Sequence, residues 1–388
     1  MVEFKLTEEQ RLIKKTMHEF AENEIRPVAL ECDREAEIPW DVVRKAHELG
    51  ITTFDLPEEW GGGGNESVLT SAVVAEELAW GCAGIWTSLL GPALAGVPIA
   101  ILGSDEQKER YLAPFCGEKP MMGAMALTEP EAGSDVKSLS TTAKLEGAEW
   151  VLNGTKAFIT NGGIADLHVI FATIDRSLGY GGIRGYIVPT GINGEEAPGI
   201  EMGEVYDKLG IRASHTAEVV LNDCRVPEEN VLGAERTGFY GAMRMLDESR
   251  IVVAAGAMGV ARAAFEYALD YAKTRKQFGQ PIGKFQAIRF KLADMTMKID
   301  AARFLIWRAA WEADMEHHIT KYASMAKAYA ADVAAEVTTE AVQILGGHGY
   351  MKEHPVEKWM RDAKVFPIWE GTSEIQRLVI SREDLGAL

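Results

Sequence analysis

Two changes of hydrophobic rhythm limit the folds open to this chain. Up to about residue 121, apolar side chains recur at helical spacing, as at Ile13, Met17 and Phe20. From about Met122 to Leu232, short β-branched and aromatic runs take over: "EWVLNGTKAFIT" (149–160), "HVIFAT" (168–173), "RGYIVPT" (184–190) and "AEVVLND" (217–223), separated by Gly, Pro and Asp turns. Helical spacing returns from about Gly238, as at Ile288, Leu292, Met295, Ile299 and Ala302, with ends marked by "GQPIGK" and "GGHGY". A β domain between two helical ones follows, the last a bundle. There is no internal repeat, low-complexity tract or linker, so the three blocks are expected to pack as one unit.

Local signals place several ends. Thr7 and Gln10 form a capping box that opens the first helix, and "PEEWGGGG" (57–64) is a break. Asn153 and Gly154 read as a two-residue hairpin turn. Ser373 and Gln376 fit a second capping box, with a helix beginning at Ser373. From Leu78 to Ser104 there is no charged residue, a length that could span a bilayer. Five glycines, Pro92, Pro98 and acidic flanks (Glu76, Glu77; Asp105, Glu106) favour buried core instead, two short helices broken at "GPALAGVP".

Charge and cysteine usage exclude whole classes of function. A net charge of −18 over 388 residues repels nucleic acid and anionic membranes. Cys32, Cys82, Cys116 and Cys224 are scattered with no CxxC pair, so neither a disulfide framework nor a zinc site is indicated. The N-terminus meets charged residues at once, with no apolar leader or presequence pattern. The expectation is a cytoplasmic protein, or a processed one of the mitochondrial matrix. HExxH, EF-hand, GxSxG and strand-borne GxGxxG motifs are absent. "GQPIGKF" (279–285) is one residue short of a P-loop and has Phe285 where a magnesium-binding hydroxyl belongs; His317 and His318 read as a solvated helix end, and no metal is expected.

Four stretches carry candidate chemistry, each with a plain alternative. "ALTEPEAGSD" (126–135) is a turn capped by Ser134, or a ledge whose amides and hydroxyls hold something polar and flat. Arg275 and Lys276 in "TRKQFG" (274–279) offset a helix dipole, or hold phosphates. "QILGGHGY" (343–350) ends a helix, or forms a nest facing a pyrophosphate. In "KVFPIWEGTSEIQRLVI" (364–380), Glu370 is a solvated carboxylate before a cap, or a side chain aimed into a cavity.

In this order and layout the four stretches resemble the acyl-CoA dehydrogenases, and the likeness runs from "LTEEQ" to "EGTSEIQRLVI". The resemblance implies an α+β fold: an N-terminal helical domain (1–121), a barrel-like central β domain (122–234) and a C-terminal four-helix bundle (235–388). It implies FAD between the β domain and the helices, and a homotetramer built as a dimer of dimers.

Carried over by position, Met125, Leu127, Thr128, Gly133 and Ser134 match the ledge against the flavin, and Phe158, Ile159 and Thr160 flank the isoalloxazine, with Thr160 near N5. Arg275, Gln277, Phe278, Gln286, Gln343, Ile344, Gly346 and Gly347 match segments reaching the partner subunit's FAD. Thr372 and Glu374 match flavin contacts, while Ser134, Asp247, Arg250, Trp369 and Gly371 match positions touching the CoA arm or acyl thioester. Glu370 matches the base that takes the α proton while the β hydrogen leaves as hydride to flavin N5.

The likeness also narrows the substrate. Some relatives carry the base on an earlier helix, where this chain has Ser249, so the base is expected at Glu370. Relatives acting on dicarboxylic thioesters carry an arginine that "GIWTSLLGPAL" (84–94) lacks. Trp369 and Trp86 add bulk near the expected acyl pocket, which points to short, medium or compact cyclic acyl groups. The expected acceptor is an electron-transfer flavoprotein; a same-fold oxidase or monooxygenase, and a non-catalytic acyl-CoA-binding scaffold, are the rival readings.

Overall fold

The computed structural model describes residues 5–233 and 238–386. The 234/235 domain boundary expected from the sequence therefore lies outside the described residues. Among the described residues seven α-helices come first: α1 (Glu8–Phe20), α2 (Ala29–Glu35), α3 (Trp40–Glu48), α4 (Val68–Gly81), α5 (Ala83–Leu89), α6 (Gly91–Leu102) and α7 (Asp105–Tyr111). Thr7 caps α1 as its pattern requires: its hydroxyl accepts from Gln10 N, and Gln10 Oε1 accepts from Thr7 N, both at 3.1 Å. The uncharged run occupies the end of α4, then α5 and α6, which meet at 47°. The break falls at Leu90, before the expected "GPALAGVP", and Pro98 stays inside α6. Ile85, Trp86, Leu89, Ala95 and Ile99 are all buried, as core residues should be.

The β block follows: β1 (Gly123–Ala126), β2 (Thr142–Glu146), β3 (Glu149–Thr160), β4 (Leu167–Thr173), β5 (Ile183–Pro189), β6 (Ile200–Val205), β7 (Thr216–Pro227) and β8 (Val231–Leu232). They form one eight-stranded sheet in the order β6-β7-β3-β2-β4-β5-β8, with β1 parallel to β4. The expected turn at Asn153–Gly154 is not a turn. β3 runs straight through it, and the β2–β3 hairpin closes at Gly147–Ala148, where Glu146 pairs with Glu149 and Gly147 takes φ 68°. Asn153 is held across the sheet by Asp223, accepting from its N–H (2.9 Å) and donating to its carboxylate (3.0 Å). Gly154 (φ 151°) then marks a bulge, because a Cβ there would lie 2.5 Å from Thr141 Oγ1.

Long helices close the chain: α8 (Gly238–Thr274), a short hairpin of β9 (Lys276–Gln277) and β10 (Gln280–Pro281), α9 (Gln286–Asp314), α10 (Thr320–Leu345), α11 (Val356–Ala363) and α12 (Ser373–Leu385). α10 packs against α8, α9 and α12, and α8 also packs on α4, so helices from both ends of the sequence share one core. Alanines at 254, 255, 257, 261, 263, 264, 323, 326, 330, 331 and 334 line this seam, small enough for the helices to approach closely.

Candidate active site

Glu370 stands where the chain turns out of α11 into α12. Ile368 N and Trp369 N both bond to Val365 O, at 2.8 and 3.0 Å, and Phe366 is fully buried. Glu370 and Gly371 then take positive φ, 53° and 88°. Left-handed backbone is ordinary for glycine but costly for glutamate, so surrounding bonds must hold it. The Glu370 carbonyl accepts from Gln376 Nε2 (3.1 Å) and Arg250 Nε (3.4 Å), while that of Gly371 accepts from Gln376 Nε2 (3.1 Å) and Lys327 Nζ (2.6 Å). α12 begins at Ser373 as expected, but its cap is Thr372, whose Oγ1 accepts from Ile375 N at 3.2 Å. Gln376 is drawn to the bend and Ser373 Oγ to Asp332 (3.0 Å), so neither completes the capping box read from the sequence.

The Glu370 carboxylate is half-buried, and its Oε2 accepts from Ser249 Oγ of α8 at 2.8 Å. Arg250 beside it is paired with Asp247, whose other oxygen accepts from Thr320 Oγ1 at 2.6 Å. Lys327 is fully buried below the bend; burial lowers its ammonium to about 8, opposed chiefly by the negative charge of Glu370. The Trp369 indole N–H is buried and has no partner among the described residues. Ser249, Lys327 and Gln376 were not read as site residues. An isolated lysine in an alanine-rich helix carries no signal of its own until the fold sets it beneath the bend.

The second cluster lies on the β block. Thr128 O accepts from Ala157 N at 2.9 Å and Leu127 O from Lys156 Nζ at 3.1 Å, tying the 127–135 loop to β3. β3 bulges between Lys156 and Ile159, pushing Phe158 outward at φ 60°; the residue is 63% exposed, and its ring lies tilted against Tyr206, 4.9 Å away. Thr128 and Thr160 are half-buried, Gly133 and Ser134 exposed. Met125 and Leu127 are half-buried and pack on the core, and the Ile159 side chain lies in it, so Ile159 can offer a ligand only its backbone.

A buried ion pair supports this ledge. Lys156 Nζ and Glu129 Oε1 are 2.8 Å apart with both side chains enclosed, and Glu129 also accepts from Ser140 N (2.6 Å), Ser140 Oγ (2.6 Å) and Thr141 N (2.8 Å). Burial pushes the Glu129 carboxyl up, but Lys156 and these donors outweigh it and leave it at about 2. Its stabilisation is therefore fully present above the ordinary value of 4.5 and is lost as pH falls toward 2. Glu129→Gln strands the Lys156 charge and is expected to cost about 3 kcal/mol or more. Melting curves from pH 7 down to pH 3 should show the parent losing stability over a range where the variant does not.

A third group lies elsewhere. Arg275, Gln277 and Phe278 sit on the β9–β10 hairpin, Gln286 begins α9, and Gln343, Gly346 and Gly347 lie at the end of α10, all exposed. Ile344 is buried, leaving its backbone alone to face a ligand. The helical stretch from Ser249 to Thr274 measures about 38 Å at 1.5 Å per residue, so this end of the bundle is remote from Glu370 of its own chain. Phe278 (92% exposed) and Tyr350 (77%) stand open there, and a Cβ on Gly346 or Gly347 would meet nothing within 4 Å.

A half-buried carboxylate on a strained, clamped bend, in a chain that also exposes an aromatic ring on its β block, is compatible with an oxidoreductase that pairs a base with a flat redox group. The exposed Phe158 ring and the loop tied down by Lys156 fit FAD, whose ring system needs a flat apolar face with polar rims. Comparison with known proteins makes the class specific: the chain belongs to the acyl-CoA dehydrogenase family, FAD-dependent flavoproteins, with the N-terminal, middle and C-terminal domains of that family matching residues 7–119, 124–224 and 236–385. It is 45% identical over 384 residues to the short-chain specific acyl-CoA dehydrogenase of Clostridium acetobutylicum, covering 98% of this chain and 99% of that protein. Butyryl-CoA dehydrogenase from Megasphaera elsdenii superposes with a TM-score of 0.93 at 43% identity, over 99% of this chain and all of the other. A chain solved in work on the electron-transferring flavoprotein of Acidaminococcus fermentans gives 0.94 and 44%, covering both chains in full.

Proposed function

We propose that the protein oxidises a short straight-chain acyl-CoA to the trans-2-enoyl-CoA, with Glu370 as the base and an electron-transferring flavoprotein as acceptor. The observation that carries it is Glu370 itself, clamped at φ 53° by Gln376, Arg250 and Lys327 with its carboxylate turned to Ser249 of α8. An α C–H of a thioester is a very weak acid, so the base needs a fixed approach and the developing enolate needs hydrogen bonds at the thioester oxygen. The clamp fixes the backbone from which the carboxylate projects, and Ser249 Oγ holds one of its oxygens. The Thr128–Phe158–Thr160 ledge would hold FAD, which would supply the acceptor for the β hydride.

Chain length follows from packing along α8. Trp86 closes over Gly256, where a Cβ would lie 2.5 Å from the indole ring, two helical turns from Ser249. That puts a wall about 10 Å along the helix from the base. Trp369, stacked edge-on against Phe366 at 5.3 Å, adds bulk next to the bend. The names of the C. acetobutylicum and M. elsdenii relatives agree with a short acyl group.

The remote hairpin and α10 end are read as the partner subunit's share of the FAD site in a homotetramer. The four free cysteines fit a reducing compartment, the cytoplasm or the mitochondrial matrix.

Anaerobic titration with acyl-CoAs of increasing length, followed by visible flavin absorbance, tests the reading. Butyryl-CoA should bleach the flavin fastest, with kcat/KM falling at least about tenfold once the chain outgrows the pocket. A flavin that no acyl-CoA bleaches contradicts the proposal, and a reduced enzyme that air reoxidises within the mixing time makes it an oxidase.

A further inference from the structure

We propose that Ser249 is a positioning residue of the proton transfer: its hydroxyl holds one carboxylate oxygen of Glu370, Oε2, and so assigns uptake of the α proton to the other, Oε1. The inference rests on the reading of Glu370 as the base.

Ser249 Oγ lies 2.8 Å from Glu370 Oε2 and 3.2 Å from Leu246 O, one turn back along α8. A hydroxyl has one proton and can serve one acceptor at a time. The ionised carboxylate wins, being both nearer and charged. The two oxygens of a free carboxylate are equivalent, and a donor on one makes it the poorer proton acceptor.

Rotation of the carboxylate about its last side-chain bond is thereby opposed, and Oε1, which has no hydrogen bond among the described residues, is left for the proton. In the reaction the C–H bond breaks, its electron pair stays with the substrate carbon, and the proton bonds to Oε1. The serine exchanges no atom. Once Glu370 is neutral its pull on the hydroxyl weakens, and the Leu246 carbonyl stands ready as the second acceptor.

The other charged groups around the bend are engaged. Arg250 and Asp247 of α8 pair with each other, and Asp247 also bonds Thr320. Lys327 donates to Gly371 O, and Asp332 of α10 accepts from Arg377 and Ser373. Glu374 at the start of α12 is exposed. None of these supplies the Glu370 carboxylate with a hydrogen bond among the described residues, so the orienting task falls to the serine.

A donor to the ionised form lowers a carboxyl's affinity for protons. The test uses the FAD-loaded enzyme with butyryl-CoA and follows flavin bleaching by stopped flow from pH 5 to pH 9. Ser249→Ala should move the acid limb of the rate profile up by about one pH unit and lower the plateau about tenfold, while Ser249→Thr restores both. A merely structural role would reduce FAD content or melting temperature and leave the limb in place. If Ala fails to retain FAD, Ser249→Cys, a near-isostere with a weaker donor, should shift the limb in the same direction. A superimposable limb in whichever of these variants is measured, or a threonine variant that behaves like alanine, overturns the inference. Glu370→Gln measured alongside separates the cases: retained turnover removes the base assignment itself, whereas its loss beside an unshifted serine variant removes this proposal alone.

Discussion

Glu370→Gln should keep its FAD, bind acyl-CoA and lose turnover by about 10³-fold or more, the upper range for removing a positioned general base. The substitution is isosteric, and the amide oxygen can still accept from Ser249 Oγ, so the bend has no new reason to move. The clamp acts on backbone carbonyls and does not involve the side chain: Gln376, Arg250 and Lys327 reach the oxygens of Glu370 and Gly371 in either case. What is lost is a group able to take a proton. Single-turnover bleaching of the flavin, compared with binding measured by the shift of its absorbance, separates the two effects. A variant that bleaches within tenfold of the parent rate would remove Glu370 from the chemistry and leave a binding role only. Glu370→Asp, which withdraws the carboxylate by one methylene, should fall between the two, because a misplaced base loses rate through geometry even when its affinity for the proton is kept.

How far the site can be read before folding depends on the range of the interactions that make it. Thr7 and Gln10 find each other three residues apart, and the box they form is the one expected. Asn153–Gly154 carries the strongest hairpin dipeptide in the chain and is overruled by Asp223, a partner 70 residues away that no local pattern announces. Ser373 and Gln376 show the same failure in miniature: both have cap chemistry, but Asp332 and the bend offer each a better partner. The local pattern left Glu370 open between a solvated carboxylate before a cap and one aimed into a cavity, and only the resemblance singled it out. Its neighbours were not legible, since Ser249 and Lys327 come to it across 121 and 43 positions respectively. The hairpin and the α10 end matched cofactor positions one by one, yet only the length of α8 shows that they lie some 40 Å from the base of the same chain.

The largest effect on stability is expected at a point remote from the chemistry, where α11 joins the β block to the N-terminal helices. Lys358 is fully buried and donates to Asp362 and to Cys82 Sγ (3.1 Å), and the other oxygen of Asp362 accepts from Ile211 N at 2.6 Å. Ile211 has φ 46°, an outlying conformation for a β-branched residue, so the loop around it is bent against its preference and held by Asp362. Arg361 adds two bonds to Asp33 at 2.7 and 3.1 Å and one to Leu209 O at 3.0 Å, fastening the same loop to α2. Burial alone would lower the Lys358 ammonium, but Asp362 first and then Cys82 raise it, so the pair remains charged.

Lys358→Met leaves an unpaired carboxylate in a dry site, a loss of about 3–5 kcal/mol. The sign of its pH dependence distinguishes it from a simple packing defect. A stranded carboxyl has a raised folded pKa, so the penalty is present at neutral pH and shrinks as the pH falls and Asp362 takes up a proton. The double variant Lys358→Met with Asp362→Asn keeps an acceptor for Ile211 N without the charge, and should recover more than half of the loss. Chemical denaturation of the three proteins at pH 7 and pH 5 gives the coupling directly. A single variant as stable as the parent, or a double variant less stable than the single, would show that the strained loop is held by something other than this pair.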